Sequence, residues 1–376
     1  MIAALRKFAE AWPAGLMTAL AAIAIVESSI AGVGSGLAGR TPDWWLASED
    51  VRRASACQVI GLGDSLIKGG LSPSTFEAAS GLRAYNLALG GGQAPSSYFL
   101  LRRALRDGAR PRAVVVDFSP RLLELGPRHN ATVWHSLIGP AEALELATVA
   151  RDPGLFGELG ARLALPSYRS RQWARDAIAA RLGGLPFGFD PIYHVLRIAR
   201  AHGGQIEFST PPRPWEALDA LDRGFFPLAW RPDPTCDAYV GRFLALARDR
   251  GIRVYWLLPP VLGDLGRRSA ASGFDARFDR YVKNYQAHYP NVTVIDARPS
   301  AYADGLFWDP LHLNPGGATR LSASLGPIVA AELGHPAVPG RWLRLPDPDP
   351  RSIEQLLADL KLDADGLATG SGGARR

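Results

Sequence analysis

Apolar positions along the chain gather into five short runs, residues 58–62, 84–89, 113–118, 253–258 and 292–295, each bounded by Gly, Pro or Asp. Runs this short and this continuously apolar fit parallel strands buried on both faces, where neither side-chain direction meets water. Between them lie stretches with helical spacing of apolar positions, residues 96–107, 237–249, 275–288 and 316–333. The alternation predicts an α/β fold: a flavodoxin-like, three-layer parallel sheet of five strands. It lapses between Pro120 and Thr235, where helical segments (140–150 and 168–182) alternate with Gly/Pro-rich loops. That stretch, about residues 121–235, is expected to be a helical insertion after the third strand.

The ends of the chain differ from this middle. Arg6 and Lys7 precede an apolar run from Trp12 to Val26, which Glu27 interrupts before residues 28–39 continue it. A basic start followed by such a run has the form of an export segment. Residues 1–39 are therefore expected to be a membrane anchor, or a signal cleaved near Ser29-Ile30-Ala31, with the remainder outside the cytoplasm as a single-pass or secreted protein. The run of fifteen residues covers only about 22 Å as a helix, against a hydrocarbon core of ~30 Å. A span would therefore have to include Glu27. Residues 40–336 then form the α/β domain, entered through a loop containing Thr41-Pro42-Asp43-Trp44-Trp45. Residues 337–376 form a tail, with a stiff linker at Leu345-Pro346-Asp347-Pro348-Asp349-Pro350, a short helix over 352–362 and disorder over 370–376.

Composition narrows the function classes. With 47% hydrophobic residues in 376, the chain can fill a core, and two cysteines cannot staple a disulfide scaffold or build a cysteine zinc site. The net charge of +6 comes from arginines scattered among acids, with lysine only at Lys7, Lys68, Lys283 and Lys361. No phosphate-tracking stripe results, so nucleic acid is not expected as a partner. There is no phosphate loop, no His-Glu-x-x-His and no Gly-x-Ser-x-Gly elbow, and Gly61-Leu62-Gly63 fails as a dinucleotide fingerprint because Leu66 replaces its last glycine. His129 and His135 lack a third ligand at metal-like spacing, so neither a metal nor another cofactor is expected.

Two local patterns carry chemistry. Gly61-Leu62-Gly63-Asp64-Ser65-Leu66 follows the first strand directly and can present the Ser65 hydroxyl at the carboxyl edge of the sheet. A serine hydroxyl needs a histidine base oriented by a carboxylate. Asp309-Pro310-Leu311-His312 offers that pair, at a spacing that lets one turn bring the carboxylate to the imidazole. Each has a plainer alternative: Ser65 capping a helix, Asp64 closing a turn, Asp309 a turn residue before Pro310.

Together these motifs resemble the SGNH/GDSL hydrolase family, over about residues 57–110 and 250–333. Gly63-Asp64-Ser65-Leu66 is similar to its first motif, Asp309-x-x-His312 to its last, and Gly90-Gly91-Gly92 stands where its second-motif glycine falls. The resemblance implies Ser65 as nucleophile, His312 as general base and acid, Asp309 as its orienter, and the Ser65 and Gly91 amides as oxyanion donors, with Asp64 counted among the oxyanion and substrate-binding residues. Trp308, beside Asp309, is a candidate substrate contact or a packing residue. The family's third motif, Gly-x-Asn-Asp, is absent: the third strand ends Asp117-Phe118-Ser119-Pro120. Ser119 is the candidate to replace the missing asparagine, or it merely closes the turn before Pro120. More loosely, the chain resembles SGNH-like proteins that transfer acetyl groups to exported polysaccharides. The expected function is a serine-dependent acyl-ester hydrolase acting on acetylated carbohydrate or a related ester. The alternatives are a polysaccharide O-acetyltransferase and a non-catalytic carbohydrate-binding or assembly protein.

Overall fold

The computed structural model describes residues 14–34, 42–183, 197–208 and 229–363. Six strands form one all-parallel sheet: β1 (Val59–Leu62), β2 (Ala84–Asn86), β3 (Ala113–Val116), β4 (Arg253–Leu258), β5 (Val292–Asp296) and β6 (Trp342–Arg344), in spatial order β2-β1-β3-β4-β5-β6. Alternate side chains point to opposite faces of a strand, and here both faces are buried. Ile60, Leu62, Val114, Val116, Val254 and Trp256 join one apolar cluster, with residues of helices Pro42–Ala54, Ala94–Arg106, Pro234–Asp249 and Phe274–His288. Val59, Ala113, Val115, Tyr255, Leu257 and Ile295 join the other, with residues of helices Pro73–Ser80 and Pro315–Leu333. The fold is thus α/β with helices on both faces of the sheet.

The sixth strand corrects the expected five. Trp342–Arg344 lies in the tail and pairs with Val294, Ile295 and Asp296. Three residues carry no readable periodicity; the open edge of β5 makes them a strand. The linker expected at 345–350 begins docked against the sheet, with the Leu345 amide donating to the Asp296 carbonyl at 2.8 Å and Leu345 fully buried. A helix follows at Ile353–Asp359, capped reciprocally by Ser352 and Gln355. Residues 370–376 lie outside the described residues. A second correction is the helix Pro42–Ala54, in a stretch read as a loop around Trp44-Trp45. Proline at its first turn, Asp43 at its start and Arg52 and Arg53 at its end suit a helix, and Trp44, Ala47, Val51 and Ala54 bury one face of it.

The expected membrane anchor is overturned. Among the described residues no helix is long and apolar enough to cross a membrane. The first described helix, Ala14–Gly34, contains Glu27 and the Ser29-Ile30-Ala31 stretch within it. Glu27 is engaged by the protein itself: its carboxylate accepts from the Ser167 amide at 2.8 Å and from the Ser167 hydroxyl, at the start of helix Pro166–Leu182. The apolar run before Glu27 is too short to span on its own. With the anchor goes its consequence, a single-pass membrane protein. Arg6, Lys7 and Trp12 lie outside the described residues.

Between β3 and β4 the chain carries helices Pro140–Val149, Pro153–Ala164 and Pro166–Leu182, each opened by a proline. Cys57 and Cys236 are separate free thiols, and Cys236 is buried with its sulfur 3.2 Å from the Leu125 carbonyl.

Candidate active site

At the carboxyl end of β1 the chain turns sharply into a short helix, Ser65–Gly70. Gly63 makes the turn at φ +125, and a Cβ there would stand 1.7 Å from Asp117 Oδ1 and 2.8 Å from the Asp117 carbonyl oxygen. Only glycine allows β1 and β3 to end this close together. Asp64 is the N-cap: its Oδ1 accepts from the Leu66 amide at 2.7 Å, and its own amide donates to Asp117 Oδ1 at 2.9 Å. The cap falls to Asp64, not to Ser65, so the Ser65 hydroxyl is left for another partner.

That partner is His312, distant in sequence by 247 residues, whose Nε2 lies 2.8 Å from Ser65 Oγ. His312 sits in a narrow loop closed by an antiparallel bridge between Phe307 and Leu313 and by the Trp308 amide donating to the His312 carbonyl at 2.8 Å. Asp309 Oδ1 accepts from the Leu311 and His312 amides, each at 2.8 Å, and Oδ2 faces His312 Nδ1 at 2.7 Å. A carboxylate oxygen can only accept, so Nδ1 carries the hydrogen, and in the neutral imidazole Nε2 is then left bare toward Ser65. Burial alone would raise the Asp309 pKa, but the hydrogen bond and charge of His312 and the two amides outweigh it and hold the carboxyl below its ordinary value.

The candidate oxyanion donors converge on the same edge. Neither the Ser65 amide nor the Gly91 amide has an acceptor among the described residues, and both residues line one cleft with His312. The Gly91 loop, at φ +67, is braced on several sides. Trp44 Nε1 donates to the Gly90 carbonyl at 2.9 Å, Asn130 Nδ2 donates to the Gly91 carbonyl at 2.9 Å, and Asp43 Oδ2 accepts from the Gly90 amide. Buried Lys68 lies behind this brace; burial pushes its ammonium down to about 8, against the pull of Asp43 and Asp50.

Ser119 also lines the cleft, and it caps the helix Pro120–Glu124: its hydroxyl oxygen faces the Leu122 amide at 3.5 Å, leaving the hydroxyl hydrogen to donate elsewhere. Trp308 is not on the cleft wall. It stacks on Phe208, ring centroids 5.2 Å apart, and Phe208 in turn packs on the His312 ring at 4.7 Å. Phe208 and Asn130 come from the insertion, and Asp43 and Trp44 from the helix read as a loop. No local pattern marks any of them as belonging to the site.

Asp117 is the other residue without a local signal. It is buried beneath the Ser65 turn, and its Oδ2 has no hydrogen-bond partner among the described residues. Burial first, then the neighbouring Asp64 charge, push its carboxyl well above the ordinary range. Because the folded state then holds a proton that the unfolded state releases, this group's contribution to stability is present below the unfolded pKa and is lost as pH rises through the folded one. Asp117→Asn keeps an oxygen for the Asp64 amide and cannot ionise. Its stability relative to the parent should therefore rise steadily as pH is raised from about 4, read by urea denaturation across pH. Parallel stability–pH curves for the two proteins would show that Asp117 does not titrate this way.

The described residues form a cleft of about 740 Å³ at this edge, and Ser65, His312, Gly91 and Ser119 are among the residues that line it. No protein-family model matches the chain, and no curated protein matches it in sequence.

Proposed function

We propose that this chain is a serine-dependent acyl-ester enzyme of the SGNH/GDSL type. The observation that carries the proposal is the continuous relay from Ser65 Oγ through His312 Nε2 and Nδ1 to Asp309 Oδ2, with contacts of 2.8 and 2.7 Å. In this reading Ser65 Oγ attacks the ester carbonyl as His312 Nε2 takes its proton. The carbonyl oxygen, now negative, is met by the free Ser65 and Gly91 amides, and the Ser119 hydroxyl, which lines the same cleft, is the candidate third donor in place of the family's asparagine. The bond to the alcohol oxygen breaks as His312 returns the proton to it. Water, or another hydroxyl, then repeats the cycle on the acyl-enzyme and restores Ser65. Hydrolysis and transfer use the same residues and differ only in the acceptor. A general base of this kind contributes about 10²–10⁴-fold and each oxyanion donor about 10²–10³-fold.

A non-catalytic binding protein would have no use for a hydroxyl held against a bare imidazole nitrogen, nor for a glycine loop braced with its amide left open. The test is incubation with a fluorophosphonate, which phosphonylates only an activated serine. The expected result is one adduct, mapped by mass spectrometry to the peptide containing Ser65, with release of p-nitrophenol from an activated ester abolished in step. An unlabelled Ser65 in folded protein would refute the proposal.

A further inference from the structure

We infer that the ester this site takes carries an apolar acyl chain of medium length, not an acetyl group on a sugar; the inference rests on the acyl-ester reading above. The cleft extends from Ser65 and His312 along the carboxyl ends of β3, β4 and β5. Its apolar wall includes Phe118, Pro259, Val261, Leu265, Phe278 and the ring of Tyr302, whose hydroxyl has no partner among the described residues but is itself buried. A carbohydrate site would need unclaimed donors and acceptors there, because sugar hydroxyls must be paired when they leave water.

Several polar side chains on this wall are already engaged with one another. Arg298 holds Asp296 and Asp279, each at 2.7 Å, and Asp275 accepts from the Ser269 hydroxyl. Arg267 pairs with Asp264 at 3.2 Å, and the Ser300 hydroxyl donates to the Leu345 carbonyl at 2.7 Å. Arg298 is therefore a neutralised brace between β5 and helix Phe274–His288, and not a receptor for an anionic substrate. A volume of about 740 Å³ lies within the range of cavities that engulf a drug-sized ligand. An acetyl group would leave most of it unfilled and forfeit the apolar surface around it. A chain of the length of octanoate would use that surface.

The experiment is a series of p-nitrophenyl esters, acetate, butyrate, hexanoate and octanoate, with kcat/KM measured for each. Full burial returns about fourfold per methylene, so kcat/KM should rise along the series, by about a hundredfold or more from acetate to octanoate. Val261→Trp narrows the cleft and should cut the octanoate-to-acetate ratio by about tenfold or more; the ratio is taken within one protein, so a partial loss of folded protein cancels. A second arm measures binding of ethyl octanoate and ethyl acetate to Ser65→Ala by calorimetry, where no chemistry is needed. Fluorophosphonate labelling with turnover greatest on acetate, or a ratio unmoved by Val261→Trp, would overturn the inference and leave the catalytic reading standing. No labelling, with octanoate still bound more tightly than acetate, would overturn the catalytic reading and support the apolar occupant. Equal or absent binding of both esters would overturn the inference.

Discussion

Ser65→Ala should lose fluorophosphonate labelling and lower ester turnover by about four to six orders of magnitude, the range over which triad members act as a unit. Its stability should stay within about 0.5 kcal/mol of the parent, as for a substitution that removes no structural contact. The second expectation follows from the division of labour at the turn: the helix is capped by the Asp64 carboxylate, and the only side-chain partner of Ser65 among the described residues is His312. His312→Ala should cost about as much, and the double variant no more than either single one, because a hydroxyl without its base and a base without its hydroxyl are equally idle. Steady-state kinetics with denaturation curves on all three proteins checks this. A Ser65→Ala protein retaining a tenth of the parent's turnover would rule out the nucleophile assignment. A double variant much worse than both singles would mean that the two residues act separately.

Gly63→Ala should be the most damaging single methyl group that can be added to the edge of the sheet that carries Ser65. The new Cβ would meet the Asp117 carboxylate oxygen at 1.7 Å and the Asp117 carbonyl oxygen at 2.8 Å, on a backbone at φ +125 that L-residues rarely adopt. The turn must then move, and with it both the Asp64 cap and the Ser65 hydroxyl. A loss of about 3 kcal/mol or more of stability is expected from overpacking and strain combined, with turnover falling further than the folded fraction does. Truncating the Asp117 side chain in the same protein should not restore activity, since the carbonyl clash and the positive φ both remain. Gly81→Ala is the control: at φ +70 its Cβ would meet nothing within 4 Å, so only the conformational penalty, about 1 kcal/mol, applies. Urea denaturation and active-site labelling of the two variants give the comparison. Equal stabilities for Gly63→Ala and Gly81→Ala would contradict the account of the turn.

The broad expectation of a sugar acetyl ester and the apolar cleft pull in different directions, and they do so for a reason that applies to the whole chain. The amino-acid pattern determines what is local. Buried strands show as short apolar runs because each residue's environment follows from its position in the pleat, so five of the six strands and the α/β class are legible. Gly63-Asp64-Ser65 is legible as a tight turn at the end of a strand, because a turn, a cap and an uncommitted hydroxyl each select one residue type. The Asp309-x-x-His312 pair is legible because a short loop alone brings the carboxylate to the imidazole.

Tertiary structure decided what depends on partners far along the chain. Trp342–Arg344 is a strand only because β5 has an open edge. Pro42–Ala54 is a helix that clamps Gly90 through Asp43 and Trp44, and Asn130 reaches the Gly91 carbonyl from the insertion. Phe208 lies on His312, and Asp117 lies under Gly63, across contacts that no spacing announces. Glu27, which interrupts the apolar run near the N-terminus, is hydrogen-bonded to Ser167, 140 residues away. Hydropathy scores a residue against an average solvent, whereas a folded chain supplies each polar atom with a particular partner, and only the fold says which.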